Sequence, residues 1–359
     1  MKVSCLRAAV LGMALALSAC AGQAAKSKPA VTELPAIPDP PFAWPSAPPA
    51  PDPEGAVRAA VLSFAWPEKL RARETVSATS TVLGGAQPKT TTKSYSVVMS
   101  ADQVADGYRI AYSDMQYDMP GATEHIRAAV NASLQPLMSV LFPSFVISPK
   151  GRFLRLENPQ QVVADAKSLA ESSKLTKDTG QLGIRITSTA GENISADSIA
   201  GELALGWDMM VGYWSGGSLA TGKLLQFRLP AADQPQTVVV YDGTSRLVGH
   251  IACGDGEAPD GCVALEMTLK ADPAGYTSWL QAHPPVVAET AGSKTPLFNV
   301  TGGESEVIVR LVAEPTTLRP RRFQWIQRGS LAFELSASKV PLTWRSQTVT
   351  IATFDYLAL

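Results

Sequence analysis

The sequence predicts an α+β protein in which an antiparallel, curved β-sheet carries a central helical block on one face. Three observations lead to this fold class. Strand-like alternation dominates residues 55–120, helical periodicity dominates residues 121–222, and strand-like runs return in residues 223–359. Strands, helices and strands in series favour separate layers over the alternating units of a parallel sheet.

The first part of the chain is predicted to begin with a helix and to continue as a β-meander. The segment Glu54–Phe64 favours a short helix. Arg73–Val82, Ser94–Met99 and Tyr108–Tyr112 are strand-like runs, the last with clear alternation of apolar and polar side chains, which is typical of strands with one buried face.

The helical block is predicted from apolar stripes and helix-start signals. The first helix carries apolar residues at 4-4-3-4 spacing, namely Ile126, Val130, Leu134, Leu137 and Leu141. Pro136 is expected to kink it. A second helix is expected to begin at Pro159, capped by Asn158. Ser195 is expected to cap a third, whose apolar stripe consists of Ile199, Leu203, Trp207 and Met210 or Val211.

The remaining elements are predicted to be strands, apart from one short helix over Asp272–His283. A strand pair interrupts the helical block at Phe145–Ile147 and Arg152–Leu156. The later strand-like runs are Lys223–Leu229, Thr237–Tyr241, Arg246–Cys253, Cys262–Lys270, Glu306–Ala313, Arg322–Arg328, Leu331–Leu335 and Trp344–Tyr356. They are expected to form a second meander.

Two of the four cysteines are predicted to form a disulfide. Cys253 and Cys262 flank eight residues of turn-forming composition, and strand-like runs lie on both sides. This spacing matches neither a redox C-x-x-C motif nor a zinc knuckle. We therefore expect a β-hairpin closed by a structural disulfide, in a compartment that permits oxidation.

The first twenty residues have the pattern of an export signal. Lys2 and Arg7 precede the apolar run Ala8–Leu17, which is too short for a permanent span. Leu17-Ser18-Ala19-Cys20 resembles the lipobox of bacterial lipoproteins. The resemblance implies a signal peptide over residues 1–19 and lipidation of Cys20. It also implies location in the cell envelope, and Ala21 favours the outer membrane, with the domain facing the periplasm.

A proline-rich tether is predicted between this anchor and the folded part. Residues 21–54 contain ten prolines, which disfavour helices and central strands and promote extended polyproline II. Phe42 and Trp44 are expected to be unattached aromatic residues of this tether, and the alternative is that they dock the tether onto the folded part. Residues 55–359 are predicted to be one large domain. The alternative is two β lobes, at 55–120 and 223–359, around the helical block.

Composition excludes several classes of protein. Charged residues make up 18% of the chain, and the net charge at pH 7 is -1, so attraction to nucleic acid through net charge is excluded. No second apolar run approaches the ~20 residues of a membrane-spanning helix. The 45% share of hydrophobic residues excludes disorder for most of the chain.

Motifs of catalysis are weak. Ser245 lies in a Gly-Thr-Ser sequence without the second glycine of a nucleophile elbow. Ser336-Ala337-Ser338-Lys339 has the spacing of a serine–lysine pair, but it ends an alternating run. His125, His250 and His283 lie far apart and form no metal-binding pair. We therefore expect no catalytic residues, no metal and no cofactor.

The most basic segment of the chain is Arg319–Arg328. Its alternation places Phe323 and Trp325 on one face of a strand and basic residues on the other. Arg319, Arg321, Arg322 and Arg328 are the candidates for contact with an anionic surface. A plain strand with a solvated outer face is the alternative, and it is favoured.

The expected function is non-enzymatic binding or scaffolding, with an apolar cleft between sheet and helices for a hydrophobic ligand or an envelope protein. Some periplasmic lipoprotein carriers have this shape, which is an analogy of architecture alone. The aromatic candidates for such a cleft are Tyr108, Tyr112, Trp207, Trp214, Trp279, Trp325 and Trp344, of which most are expected in the core. A hydrolase of envelope glycan or lipid and a structural partner of an outer-membrane assembly are the alternatives.

Overall fold

The computed structural model describes Trp44 and residues 58–83, 88–171, 195–229, 239–254, 256–258, 260–282, 298–335 and 341–358. Strands make up 55% and helices 23% of the described residues. The described part of the chain is therefore mostly β, and the predicted α+β fold with a central helical block is wrong. The predicted helix at Glu54–Phe64 is also wrong within its described part, since Ala59–Val61 is a strand.

The elements follow in chain order. The strands are β1 (Ala59–Val61), β2 (Lys69–Leu83), β3 (Lys89–Val104), β4 (Gly107–Asp118), β5 (Phe145–Ile147), β6 (Phe153–Leu156), β7 (Ser218–Ala220), β8 (Leu224–Leu229), β9 (Tyr241–Ile251), β10 (Cys262–Ala271), β11 (Phe298–Ala313), β12 (Pro320–Leu335) and β13 (Pro341–Tyr356). The helices are α1 (Glu124–Leu134), α2 (Met138–Leu141), α3 (Pro159–Glu171), α4 (Ala196–Trp207) and α5 (Pro273–Ala282).

Eleven strands form one antiparallel sheet in the order β6-β5-β4-β3-β2-β13-β12-β11-β10-β9-β8. The pairing of β2 with β13 joins the early and late strands of the chain, with Val76 opposite Ala352. The predicted runs Arg322–Arg328 and Leu331–Leu335 are parts of the single strand β12, because both continue the same register against β13. β1 and β7 form a separate two-stranded sheet.

The large sheet is strongly curved around the segment that follows α4. Trp207 lies 5.4 Å from Phe145 of β5, and Tyr213 lies 5.0 Å from Phe227 of β8, measured between ring centroids. In a flat sheet β5 and β8, nine places apart in the order, would be separated by on the order of 40 Å. Six residues of helix advance only about 9 Å. The two ends of the sheet must therefore bend toward each other over this segment.

Alternation explains which face of the sheet is inside. On β2, Leu70, Ala72 and Val76 belong to the main hydrophobic core, whereas Arg71 and Arg73 are exposed. Because side chains of a strand alternate between faces, the even-numbered residues of β2 point to the concave side.

Several predicted helix boundaries are confirmed. The first helix breaks at Pro136, where a 3₁₀ turn over Gln135–Leu137 separates α1 from α2. α3 begins at Pro159 and α4 directly after Ser195. Ile126, however, is 50% exposed, so the packed part of the first stripe begins one turn later.

The predicted disulfide is present. Cys253 and Cys262 are bonded to each other where β9 and β10 meet. Both are buried beside Val312 of β11, on the convex face, opposite to the main core. The bond therefore closes the β9–β10 hairpin against its neighbouring strand.

Trp44 of the proline-rich segment packs on the same convex face. Its ring lies 5.4 Å from the guanidinium carbon of Arg310 and contacts the cluster around the disulfide. The expectation of an unattached aromatic residue is therefore wrong for Trp44, because an indole beside a cation and an apolar patch gains both contacts. Phe42 lies outside the described residues.

Candidate functional site

A cavity of about 350 Å³ lies between the concave face of the sheet and the helices. The sheet contributes Glu74, Val76, Tyr95, Tyr112, Phe145, Phe323, Thr350 and Ala352. The helical side contributes Val140, Leu141, Pro143, Ile199, Glu202, Leu203, Gly206, Trp207 and Met210. Most of these side chains are apolar, so the cavity resembles a site for a small or slender hydrophobic molecule.

The apolar stripe of α4 forms one wall of this cavity. Ile199, Leu203, Trp207 and Met210, predicted as one stripe, all line it. Ile199 and Leu203 are only half-buried, whereas Trp207 and Met210 are buried. Ile199 and Leu203 of α4 therefore present partly exposed apolar side chains to the cavity, although Leu203 also packs against the main core.

Trp207 fixes this wall to the sheet. Its indole nitrogen donates a hydrogen bond of 2.7 Å to the carbonyl of Gly151. Its ring packs edge-on against Trp66 and Phe145, with centroids 5.7 Å and 5.4 Å away. A π-helical turn over Asp208–Gly212 follows directly and is largely buried. The end of α4 is therefore held by both packing and hydrogen bonding.

Aromatic residues close another side of the cavity. Tyr95 of β3 and Tyr112 of β4 lie on the concave face, and Phe142, which follows α2, packs against both rings at 5.7 Å and 5.4 Å. Of the aromatic candidates, Tyr112 and the buried Trp207 line the cavity, and Trp214, Trp279 and Trp344 are buried in the cores.

Glu74 places a carboxylate among these apolar walls. It lies on β2 between Ala72 and Val76 in the inward-facing row, opposite Phe354 of β13 and Val97 of β3. Burial raises the pKa of this carboxyl from its ordinary 4.5 to about 7, because a charged group in an apolar site loses its hydration. Glu74 forms no ion pair with any described residue.

The neighbouring tyrosines respond to the same environment. Burial raises the pKa of Tyr95 and of Tyr112 well above the usual range, and the negative charge of Glu74 raises both further. Both phenols are therefore neutral at any physiological pH. They offer hydroxyl groups and ring faces to a ligand, but no charge.

The second carboxylate of the cavity is Glu202, exposed on α4. Within the described ranges no basic residue lines the cavity. In the same part of the chain no three His, Cys, Asp or Glu side chains come together as metal ligands. The cavity is therefore apolar with an acidic component.

The weak catalytic candidates are not brought together. Ser245 is buried on β9, where its hydroxyl lies 3.5 Å from that of Tyr213. His125 is exposed on α1, and His250 lies on β9. The serine–lysine candidate at 336–339, His283 and the lipidation candidate Cys20 lie outside the described residues.

The arginines predicted to contact an anionic surface have partners within the chain. Arg321 pairs with Glu314 at 2.7 Å, and Arg328 pairs with Glu306 at 2.9 Å. The guanidinium carbons of Arg319 and Arg321 lie 5.6 Å and 5.1 Å from the ring centroid of Tyr356. Arg322 is half-buried. Contact of this segment with an anionic surface stays a prediction.

Sequence reasoning missed Glu74, although the sequence carried a signal for it. The alternation Leu70, Ala72, Glu74, Val76 places an acidic residue in an apolar row. Such a break in a periodic pattern is uncommon for a structural reason alone, since burying an unpaired carboxylate is costly.

Comparison with known proteins does not assign this chain to a family. No protein-family model matches it, and no curated protein matches it significantly in sequence. None of the described helices is long and apolar enough to cross a membrane.

Proposed function

We propose that this protein is a lipid-anchored protein of the bacterial outer envelope that binds a hydrophobic ligand without catalysing a reaction. The observation that carries the proposal is the half-buried stripe of α4, in which Ile199 and Leu203 line the cavity and stay partly exposed, although Leu203 also packs against the main core. Apolar side chains left facing a cavity gain free energy when a ligand covers them.

The size of the cavity limits the ligand. A volume of about 350 Å³ lies near the lower end of the range for small-molecule sites. One slender chain or one small ring system fits that space better than a multi-chain lipid does. Each buried methylene contributes about 0.8 kcal/mol, from which the cost of association is subtracted. We therefore expect an affinity weaker than micromolar for a single chain of about ten carbons, because the ~8 kcal/mol of its methylenes is reduced by that cost.

The binding proposal is tested by filling the cavity. We expect the neutral fluorophore N-phenyl-1-naphthylamine to bind the wild-type protein with enhanced emission. Leu203→Trp should weaken this binding by about tenfold, because the indole occupies the space. Leu224→Trp is the matched control, since Leu224 lies on the edge strand β8 and is 55% exposed.

Two results of this titration would contradict the proposal. A wild-type protein that fails to enhance the emission has no accessible apolar site. Equal binding by the wild type and Leu203→Trp places the probe somewhere other than this cavity. Circular dichroism of both tryptophan variants confirms that each is folded.

The anchor is proposed from the lipobox resemblance. We expect radiolabelled palmitate to enter the wild-type protein and to be absent from Cys20→Ala, because thioether-linked lipid requires the Cys20 thiol. The membrane fraction should lose the Cys20→Ala protein or hold it unprocessed. Wild-type protein without label would remove the basis of the envelope location.

A second function is favoured by the two carboxylates of the cavity. Glu74 and Glu202 both line it, and an acid with a raised pKa that shares a cavity with a second carboxylate is a pattern of glycoside hydrolases. Sugars, however, require many hydrogen-bonding groups, and twelve of the seventeen lining residues are apolar. Release of reducing ends from purified envelope glycan, lost in both Glu74→Gln and Glu202→Gln, would favour the hydrolase.

A further inference from the structure

We infer that the ligand of this cavity is an amphiphile whose head group carries a protonated amine, and that Glu74 recognises that amine. The inference rests on the proposed binding function and adds the chemical class of the ligand. It follows from three properties of the cavity: the sign of its charge, the position of Glu74 and the aromatic groups beside it.

The charge of the cavity favours a cation. Its lining includes Glu74 and Glu202 and, among the described residues, no lysine, arginine or histidine. An anionic head group would meet like charge in a poorly solvated site, which strongly disfavours binding. A neutral head group would leave the half-buried Glu74 carboxylate without a counter-charge. A cation supplies that charge.

The position of Glu74 makes it a recognition residue instead of a surface charge. Its neighbours along the inward-facing row, Ala72 and Val76, are buried, and so are Val97 and Phe354 opposite to it. An ammonium placed here forms a charge-assisted hydrogen bond in an apolar surrounding, where such bonds are strongest.

The rings beside Glu74 suit the same head group. Tyr95 and Tyr112 both line the cavity and both interact electrostatically with Glu74. Ring faces attract cations, most strongly where water is excluded. The alkyl chain of the ligand would then extend along Ile199 and Leu203 of α4, so one molecule contacts both the acidic and the apolar parts.

Binding of an amine should depend on pH in a defined direction. The titratable groups lining the cavity are Glu74 on β2, Tyr95 on β3, Tyr112 on β4 and Glu202 on α4. Because burial raises the pKa of Glu74 to about 7, protons compete with the amine for this carboxylate below that pH. Affinity should therefore rise by roughly tenfold or more between pH 5.5 and pH 8, while both phenols stay neutral.

The experiment compares ligands with the same chain and different heads. Dodecylamine, dodecanol and dodecanoate, each below its micelle concentration, displace the neutral fluorophore at pH 8. We expect dodecylamine to bind at least tenfold more tightly than dodecanol, and dodecanoate to bind most weakly. Glu74→Gln should remove the preference for the amine and its pH dependence while retaining dodecanol binding.

A matched control separates Glu74 from general surface charge. Glu68 precedes β2 and is exposed, so Glu68→Gln removes one negative charge outside the cavity. This variant should keep the wild-type preference for dodecylamine. Glu202→Gln is expected to change the preference less than Glu74→Gln does, because Glu202 is exposed.

A protonated amine on an apolar chain has two sources, a single-chain amine and the head group of a phosphoethanolamine lipid. Lysophosphatidylethanolamine and lysophosphatidylglycerol distinguish them, since only the first carries the amine. A preference for the ethanolamine lipid identifies a phospholipid source. A preference confined to dodecylamine identifies a simple amine.

The results that would contradict the inference differ from those that would contradict the proposed binding function. If dodecylamine and dodecanol displace the fluorophore equally, or if Glu74→Gln keeps the preference, the inference is overturned while apolar binding stands. If none of the chains displaces the fluorophore, the proposed binding function falls, and the inference falls with it. Thermal unfolding of Glu74→Gln shows whether that variant is folded.

Discussion

Trp207→Ala is expected to destabilise the protein by about 3–5 kcal/mol, the cost typical of deleting a buried large aromatic side chain. Trp207 is 3% exposed and packs against Trp66 and Phe145. Alanine would remove these contacts and the hydrogen bond to the Gly151 carbonyl. It would also leave a void that the curved sheet cannot close without moving several strands.

The measurement is urea unfolding followed by circular dichroism, with free energies extrapolated linearly to water. Trp207→Phe is the matched variant, because it keeps a ring near Phe145 and loses only the indole donor and part of the area. We expect it to cost about 1–3 kcal/mol. A loss below about 1 kcal/mol in Trp207→Ala would show that α4 is not held to the sheet by this side chain.

The local elements of this protein were largely predictable, because their signals are local. The proline and cap residues at Asn158 and Pro159 predict the start of α3, and the spacing of Ile199 and Leu203 predicts the apolar face of α4. The pairing of Cys253 with Cys262 follows from a turn-rich loop between two strands. Each of these signals lies within about fifteen residues of chain.

The fold class was not predictable in the same way, because it depends on contacts between distant parts of the chain. β2 pairs with β13, and nothing in the alternation of either strand identifies the other as its neighbour. The sequence around Ala60 favours a helix, yet this segment is a strand, because Ala60 pairs with Leu219 of β7. Because the helices are short and the strands are long, the helices cover only part of the sheet and do not form the expected central block.

The candidate site shows the same division between local and distant information. The wall formed by α4 was predicted as a stripe, whereas its opposition to Glu74, Tyr95 and Tyr112 results from the curvature of the sheet. The curvature of the sheet brings β2, β3 and β4 over α4. This curvature depends on how all eleven strands pack around the segment after Trp207. Glu74 is therefore recognisable in the sequence as an acidic residue in an apolar row, but the residues that face it across the cavity are not recognisable.

Glu74→Gln is expected to stabilise the protein at pH 8 and to have little effect near pH 4.5. Burial raises the pKa of Glu74 from 4.5 to about 7 in the folded state, so between these values the folded protein holds a proton that the unfolded chain releases. Stability therefore falls as pH rises through this window. Above pH 7 the full penalty of a buried charge is present, and glutamine removes it.

A Glu74 pKa raised from 4.5 to about 7 corresponds to a loss of folding stability at pH 8 of at most roughly 3 kcal/mol. Partial access of water to the cavity reduces this loss to about 2 kcal/mol. In a protein of this size, removing that loss raises the melting temperature by about 3 °C at pH 8. Differential scanning calorimetry from pH 4.5 to pH 8 measures the profile. Glu68→Gln, at an exposed position on the same part of the chain, should show no such trend. A melting temperature of Glu74→Gln that follows the wild type at every pH would mean that Glu74 is fully solvated, and the acidic cavity would then lose its central group.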